Sequence, residues 1–201
     1  MRVTGVVWDL GNVLIDWDPQ AAVAAGLGEA EAQRFFDGFD FGTWNQACDA
    51  GRTWPEALAI LDREHPQWSR HGRAYVDHFA SSLVGENGDV VALVRELHES
   101  GIPQVGLTNF SAELWPQAPA RFDFLGLFDD VVVSGLAGVA KPDPESYRLA
   151  AARCGLPVET LVFVDDKAAN VTAAEQIGMT GVVFTDAAGV RSAFRALGLP
   201  V

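Results

Sequence analysis

The sequence predicts an α/β protein, a parallel sheet with helices on both faces plus an all-helical insertion after the first strand. Two observations carry this. A short apolar, β-branched run at Gly5–Trp8 is matched from residue 88 onward by like runs (Ile102–Leu107, Val131–Val133, Leu161–Val164) that alternate with helical patterns, as in sheets buried on both faces. Between residues 16 and 85, by contrast, apolar positions recur at helical spacing and β-branched runs vanish.

Taken in order, the first run ends abruptly in Asp9, followed by Gly11 and Asn12. A carboxylate there sits at a strand's carboxyl end, where open α/β sheets bind ligands. Gly11 is expected to let the backbone turn tightly. Asp18-Pro19 reads as a helix start, with Asp18 as N-cap and Pro19 in the first helical position. Thr53-Trp54-Pro55-Glu56 has the form of a capping box. The aromatics crowded here, from Phe35, Phe36, Phe39, Phe41 and Trp44 to Trp54, Trp68, Tyr75 and Phe79, read as packing residues of a small helical unit.

Asp89 to Ser100 is an amphipathic helix stopped by Gly101, and the next strand ends in Thr108-Asn109. Ser111 is placed to cap a helix interrupted by Pro116 and Pro119. Pro144 to Cys154 is a helix closed by Gly155, and Leu161 to Val164 a strand ending in Asp165-Asp166. Ala168 to Ile177 is a helix with Gly178 at its end; a strand from Gly181 to Thr185 and a helix from Val190 to Leu197 follow. The domains are thus a core of residues 1–15 and 86–201 and a helical insertion of residues 16–85.

Hydrophobic residues at 49% and charged residues at 20% of 201 describe an ordinary globular chain. A formal charge of -13 argues against nucleic-acid binding, which relies on Lys and Arg. Cys48 and Cys154 form no metal-ligand spacing and read as reduced thiols. No apolar run approaches a membrane span and no signal-peptide pattern opens the chain; the expectation is a cytoplasmic protein with a small-molecule partner and no membrane or nucleic-acid partner.

In a parallel sheet the loops carrying Asp9, Thr108-Asn109, Lys141-Pro142 and Asp165-Asp166 converge on one edge. The carboxylates offer hard oxygen ligands suited to Mg²⁺. Thr108 and Lys141 supply a hydroxyl and a positive charge for a phosphoryl group, and Asp9 is placed to attack phosphorus.

The order Asp9-Leu10-Gly11-Asn12-Val13, Leu107-Thr108-Asn109, Lys141-Pro142-Asp143-Pro144 and Val164-Asp165-Asp166-Lys167, with Asn170 beyond, resembles the motif set of the haloacid dehalogenase-like (HAD) hydrolase superfamily. The helical insertion resembles the cap of its subfamily I. The resemblance implies a Rossmann-like core, a nucleophilic Asp9, and Mg²⁺ held by Asp9, the Gly11 carbonyl and Asp166, with Asp165 assisting. Thr108, Asn109, Lys141, Gly11 and Asn12 would bind the substrate phosphate, and Asn170 would orient the acidic loop. The expected function is a Mg²⁺-dependent phosphatase of a small phosphorylated metabolite.

One position departs from the pattern. The family's phosphatases usually carry a general acid–base aspartate two residues after the nucleophile, and here that residue is Gly11. A family branch with Asp-Leu-Gly-Asn includes a glucose-1-phosphate phosphatase, so a sugar phosphate is the expected substrate. Asp49, Arg52 and His65 of the insertion are candidates to supply the proton or read the substrate. The competing functions are a 2-haloacid dehalogenase and a catalytically weak phospho-ligand-binding protein.

Overall fold

The computed structural model describes residues 2–201. The first half of the chain contains strands β1 (Gly5–Trp8) and β2 (Ile15–Trp17), then helices α1 (Pro19–Leu27), α2 (Glu29–Gly38), α3 (Phe41–Asp49), α4 (Trp54–Glu64) and α5 (Ser69–Asp77). Next come β3 (Leu83–Glu86), α6 (Gly88–Glu99), β4 (Gln104–Thr108), α7 (Gln117–Arg121), β5 (Asp130–Val133) and α8 (Ser134–Ala137). The chain closes with α9 (Pro144–Cys154), β6 (Leu161–Asp165), α10 (Ala168–Gln176), β7 (Thr180–Val183) and α11 (Ala187–Ala196).

The main sheet has the order β5-β4-β1-β6-β7 and every pairing is parallel. Alternation along its strands divides the core in two. Val6, Trp8, Val162 and Val164 join the apolar faces of α6 and α11, whereas Val7, Leu161 and Phe163 pack with Tyr147 and Ala150 of α9 and Ala174 of α10. A sheet buried on both sides has no polar face, which is why its strands read as continuous apolar runs. Among the described residues no helix is long and apolar enough to cross a membrane.

The local start signals act as read. The Asp18 side chain accepts from the Gln20 amide at 2.9 Å. The Thr53–Glu56 capping box is complete in both directions. Gly155 closes α9 in the left-handed conformation, at φ 69°.

Three expectations need correction. First, β2 and β3 pair as an antiparallel ribbon where the chain leaves and rejoins the core; at three and four residues they are too short to show alternation. Second, Ser111 caps no helix. The segment after it forms turns before the short α7, and its hydroxyl instead accepts from Trp54 Nε1 at 2.9 Å. Third, Gly11 is not demanded by the backbone: its φ is ordinary, and a Cβ there would meet nothing within 4 Å. The left-handed residue of this turn is Asn12, at φ 60°, a conformation asparagine tolerates better than most residues.

Candidate active site

The strand order reverses at β1, which lies between β4 and β6, so a crevice opens at the carboxyl ends of these strands. Asp9 follows β1, Thr108 ends β4 and Asp165 ends β6. Together with the β5–α9 connection carrying Lys141, they form one cluster.

Lys141 is its centre. Only 3% exposed, its ammonium lies 2.7 Å from Asp9 Oδ1 and 2.8 Å from Asp165 Oδ2. Asp165 is fully buried and its oxygens are occupied: it also accepts from the Lys167 amide at 2.8 Å and from Asn170 Nδ2 at 3.0 and 2.9 Å. Asn170 is held in turn through its carbonyl, which accepts from Tyr147. Asp165 therefore anchors Lys141 and the acidic loop, while Asp166 beside it lines the open cavity.

Asn109 pairs with the Lys141 main chain in both directions, its Nδ2 donating to the carbonyl at 2.9 Å and its Oδ1 accepting from the amide at 2.8 Å. This two-bond clamp ties the β4 loop to the lysine segment and occupies the Asn109 amide.

The electrostatics follow from the count of charges. Asp9, Asp165 and Asp166 can each bring a carboxylate oxygen within 4.8 Å of the others, and a single lysine lies among them. Burial pushes the Asp9 carboxyl up to about 7, with Asp165 and Asp166 adding to the rise and Lys141 opposing it. Asp166 is also raised, by burial and then by Asp165. Burial alone would lower the Lys141 ammonium, yet the two aspartates outweigh it and raise it.

The cluster forms one end of a cavity of about 760 Å³. Asp9, Gly11, Asn12, Thr108, Asn109, Lys141, Asp166 and Asn170 all line it. Lys167, which the sequence places in the fourth motif without a role, lines it too. The helical insertion forms the other end, and its aromatics do more than pack: Phe36, Phe39, Phe41, Trp54 and Tyr75 face the cavity as well as each other.

Of the insertion's candidate polar residues, only Asp49 reaches the cavity; Arg52 lines a separate surface depression and His65 neither. Asp49 Oδ2 accepts from Asn45 Nδ2 at 2.9 Å, and the Asp49 carbonyl accepts from Ser134 Oγ at 2.6 Å. The same Ser134 hydroxyl accepts from the Phe110 amide at 2.9 Å. Gly135 allows that approach, since a Cβ there would lie 2.4 Å from the Ala112 amide nitrogen.

Burial pushes the Asp49 carboxyl up to about 7, opposed by the charge of Lys167 and a bond from the Ser111 amide. Tyr75 and Cys48 are its other titratable neighbours. A carboxyl raised on folding favours the native state while protonated, so its contribution is fully present near pH 4 and lost as pH rises through 7. Asp49→Asn cannot ionise. Its melting temperature relative to the parent is expected to climb between pH 4 and 7 and level off above, in chelator-treated protein; a pH-independent difference would mean that Asp49 stays charged.

A family model for haloacid dehalogenase-like hydrolases matches residues 3–178. The chain belongs to the haloacid dehalogenase-like hydrolase family. Sesquiterpene phosphatase astK of Aspergillus oryzae is 28% identical to this hydrolase, over 90% of the chain and 89% of that protein. Drimenol cyclase drtB of Aspergillus calidoustus is 38% identical over 90% of the chain, which spans only 34% of that longer protein. The HAD family enzyme bt-2542 of Bacteroides thetaiotaomicron, in a crystal structure with magnesium and inorganic phosphate, shares the fold. The TM-score is 0.67 at 19% identity, covering 91% of this chain and 94% of that one.

Proposed function

We propose that this hydrolase is a Mg²⁺-dependent phosphomonoesterase working through an aspartyl-phosphate on Asp9. The observation that supports the reading best is Lys141 enclosed between Asp9 and Asp165 with Asp166 alongside. Three carboxylates against Lys141 within the cluster and Lys167 beside Asp166 leave an excess of negative charge in a largely buried site, and the donors are all oxygen. That set suits a hard divalent cation. Asp9, Asp166 and the Gly11 carbonyl would hold Mg²⁺, with Asp165 orienting the loop. Bound there, the ion would neutralise phosphoryl oxygens that the aspartates alone would repel.

The chain's own groups supply the rest. Lys141 and the Leu10 amide both contact Asp9 Oδ1, which orients Oδ2 as the attacking oxygen. Oδ2 forms a bond to phosphorus while the bond from phosphorus to the alcohol oxygen breaks, and that oxygen takes a proton from solvent, since Gly11 has none to give. Water then attacks phosphorus and gives a proton back to solvent, the bond to Oδ2 breaks, and phosphate leaves. Thr108, Lys141 and the main-chain amides of Gly11 and Asn109 stabilise charge on the transferring group, while the Asn12 amide is held by the Ile15 carbonyl at 2.8 Å and leaves only the Asn12 side chain to reach the phosphate. Residues 16–85 act as a cap that shields this chemistry from water, its β2–β3 ribbon marking the hinge.

Two further facts support the reading: a relative bears the name of a phosphatase, and a fold neighbour binds magnesium and phosphate. Phosphate release from acetyl phosphate and p-nitrophenyl phosphate is the test. Release is expected with Mg²⁺, lost on chelation and restored when Mg²⁺ is returned. Metal-independent halide release from 2-chloropropionate, without phosphate release, would assign the Asp9 nucleophile to carbon instead.

A further inference from the structure

The geometry points to a phosphomonoester of a long, uncharged, apolar alcohol as the substrate, the phosphoryl group at the Asp9 end and the hydrocarbon against the aromatics of the insertion. This rests on the phosphatase reading and adds the nature of the leaving group.

Three observations carry it. The cavity of about 760 Å³ far exceeds what a phosphoryl group occupies and falls within the range of pockets that enclose drug-sized ligands. The insertion's side of it carries Trp17, Phe36 and Phe39, which are only partly buried, backed by the buried rings of Phe41, Tyr75 and Phe79. Ordinary packing buries Phe41, Tyr75 and Phe79 against one another; Trp17, Phe36 and Phe39 keep open surface toward a space large enough for a ligand.

The second observation is charge. Among the described residues lining the cavity the only cations are Lys141 and Lys167, both beside Asp165-Asp166. The polar wall contributed by the insertion carries Asp40 and Asp49. A leaving group with its own carboxylate or second phosphate would find there only Lys167, already engaged by Asp49 and Asp166, and the Asp40 carboxylate against it.

The third is the state of the polar side chains along that wall. Asn45 donates to Asp49 and accepts from the Tyr75 hydroxyl, Ser111 accepts from Trp54, and Asp40 caps α3 by accepting from the Thr43 amide. A sugar needs many free partners for its hydroxyls, because an unpaired buried hydroxyl is costly. These groups already have partners, and the Gln46 amide on the same wall is left open. An alkyl or prenyl chain makes no such demand, and the lining thus favours it over the sugar phosphate expected from the Asp-Leu-Gly-Asn resemblance.

The test is a homologous series of n-alkyl monophosphates, from butyl to dodecyl, assayed with Mg²⁺ below their micellar concentrations. Glucose-1-phosphate, glucose-6-phosphate and acetyl phosphate are run beside them. kcat/KM is expected to rise about fourfold per added methylene, the value of burying one CH₂, until the cavity is full. Calorimetry of dodecylphosphonate against methylphosphonate, with Mg²⁺ present, gives a readout independent of turnover: the long chain is expected to bind tighter, with a more negative heat-capacity change. Acetyl phosphate turnover with no chain-length dependence, or sugar phosphates ranking first, would overturn the apolar leaving group and leave the phosphatase standing. Long-chain phosphonate binding without hydrolysis of any ester would overturn the phosphatase reading instead.

Discussion

Asp9→Asn is expected to abolish turnover of every phosphate ester, by at least about 10⁴-fold, as removal of a covalent nucleophile does elsewhere. The fold should survive. Asp9 is 7% exposed and its carboxyl is already pushed up to about 7 by burial, so an uncharged amide resembles a state the parent visits near neutral pH. Asn can still accept from the Leu10 amide and from Lys141 through one oxygen, while Lys141 keeps its bond to Asp165. Phosphate release and a thermal melt on the same sample check this: lost activity with an unchanged melt is the expected pair. Parent enzyme quenched in acid during turnover should carry hydroxylamine-labile phosphate that the variant lacks. Full activity in Asp9→Asn would place the nucleophile elsewhere.

Much of this arrangement is legible in the sequence because its causes are local. A carboxylate ending an apolar run, a capping box and a lysine before Pro142 each need only a few neighbouring residues to be read. Parallel connectivity then brings Asp9, Thr108, Lys141 and Asp165 together, and the sheet order provides it. What escaped the sequence depends on contacts between distant segments. The fate of Ser111 is set by Trp54, 57 residues away, and the place of Asp49 by Ser134, 85 residues away. The double use of the aromatics escaped for a related reason. Phe36 and Phe41 pack on each other at 4.8 Å and also face the cavity, and periodicity records only that a side chain is apolar.

Gly11→Asp is the change expected to increase activity most. The position lines the cavity, has an ordinary φ, and offers open space where a Cβ would sit, so an aspartate enters without backbone strain. Its carboxyl would stand two residues from Asp9, where it can give a proton to the departing alcohol and later take one from water. Positioned acid–base catalysis is worth roughly 10²–10⁴-fold, and the gain should depend on the leaving group. An unactivated alkyl phosphate is expected to gain about 10²-fold in kcat, whereas acetyl phosphate, whose leaving group departs without protonation, should change little. The ratio of the two rates therefore separates proton donation from a general change in the site. A gain shared equally by both esters would mean that the new carboxylate alters metal or phosphate binding instead. No gain with either would mean that the parent already protonates its alcohol. The cavity carboxyl to test next would then be Asp49, which burial holds protonated up to about 7. In an Asp49→Asn background Gly11→Asp would in that case restore the lost rate on the alkyl ester.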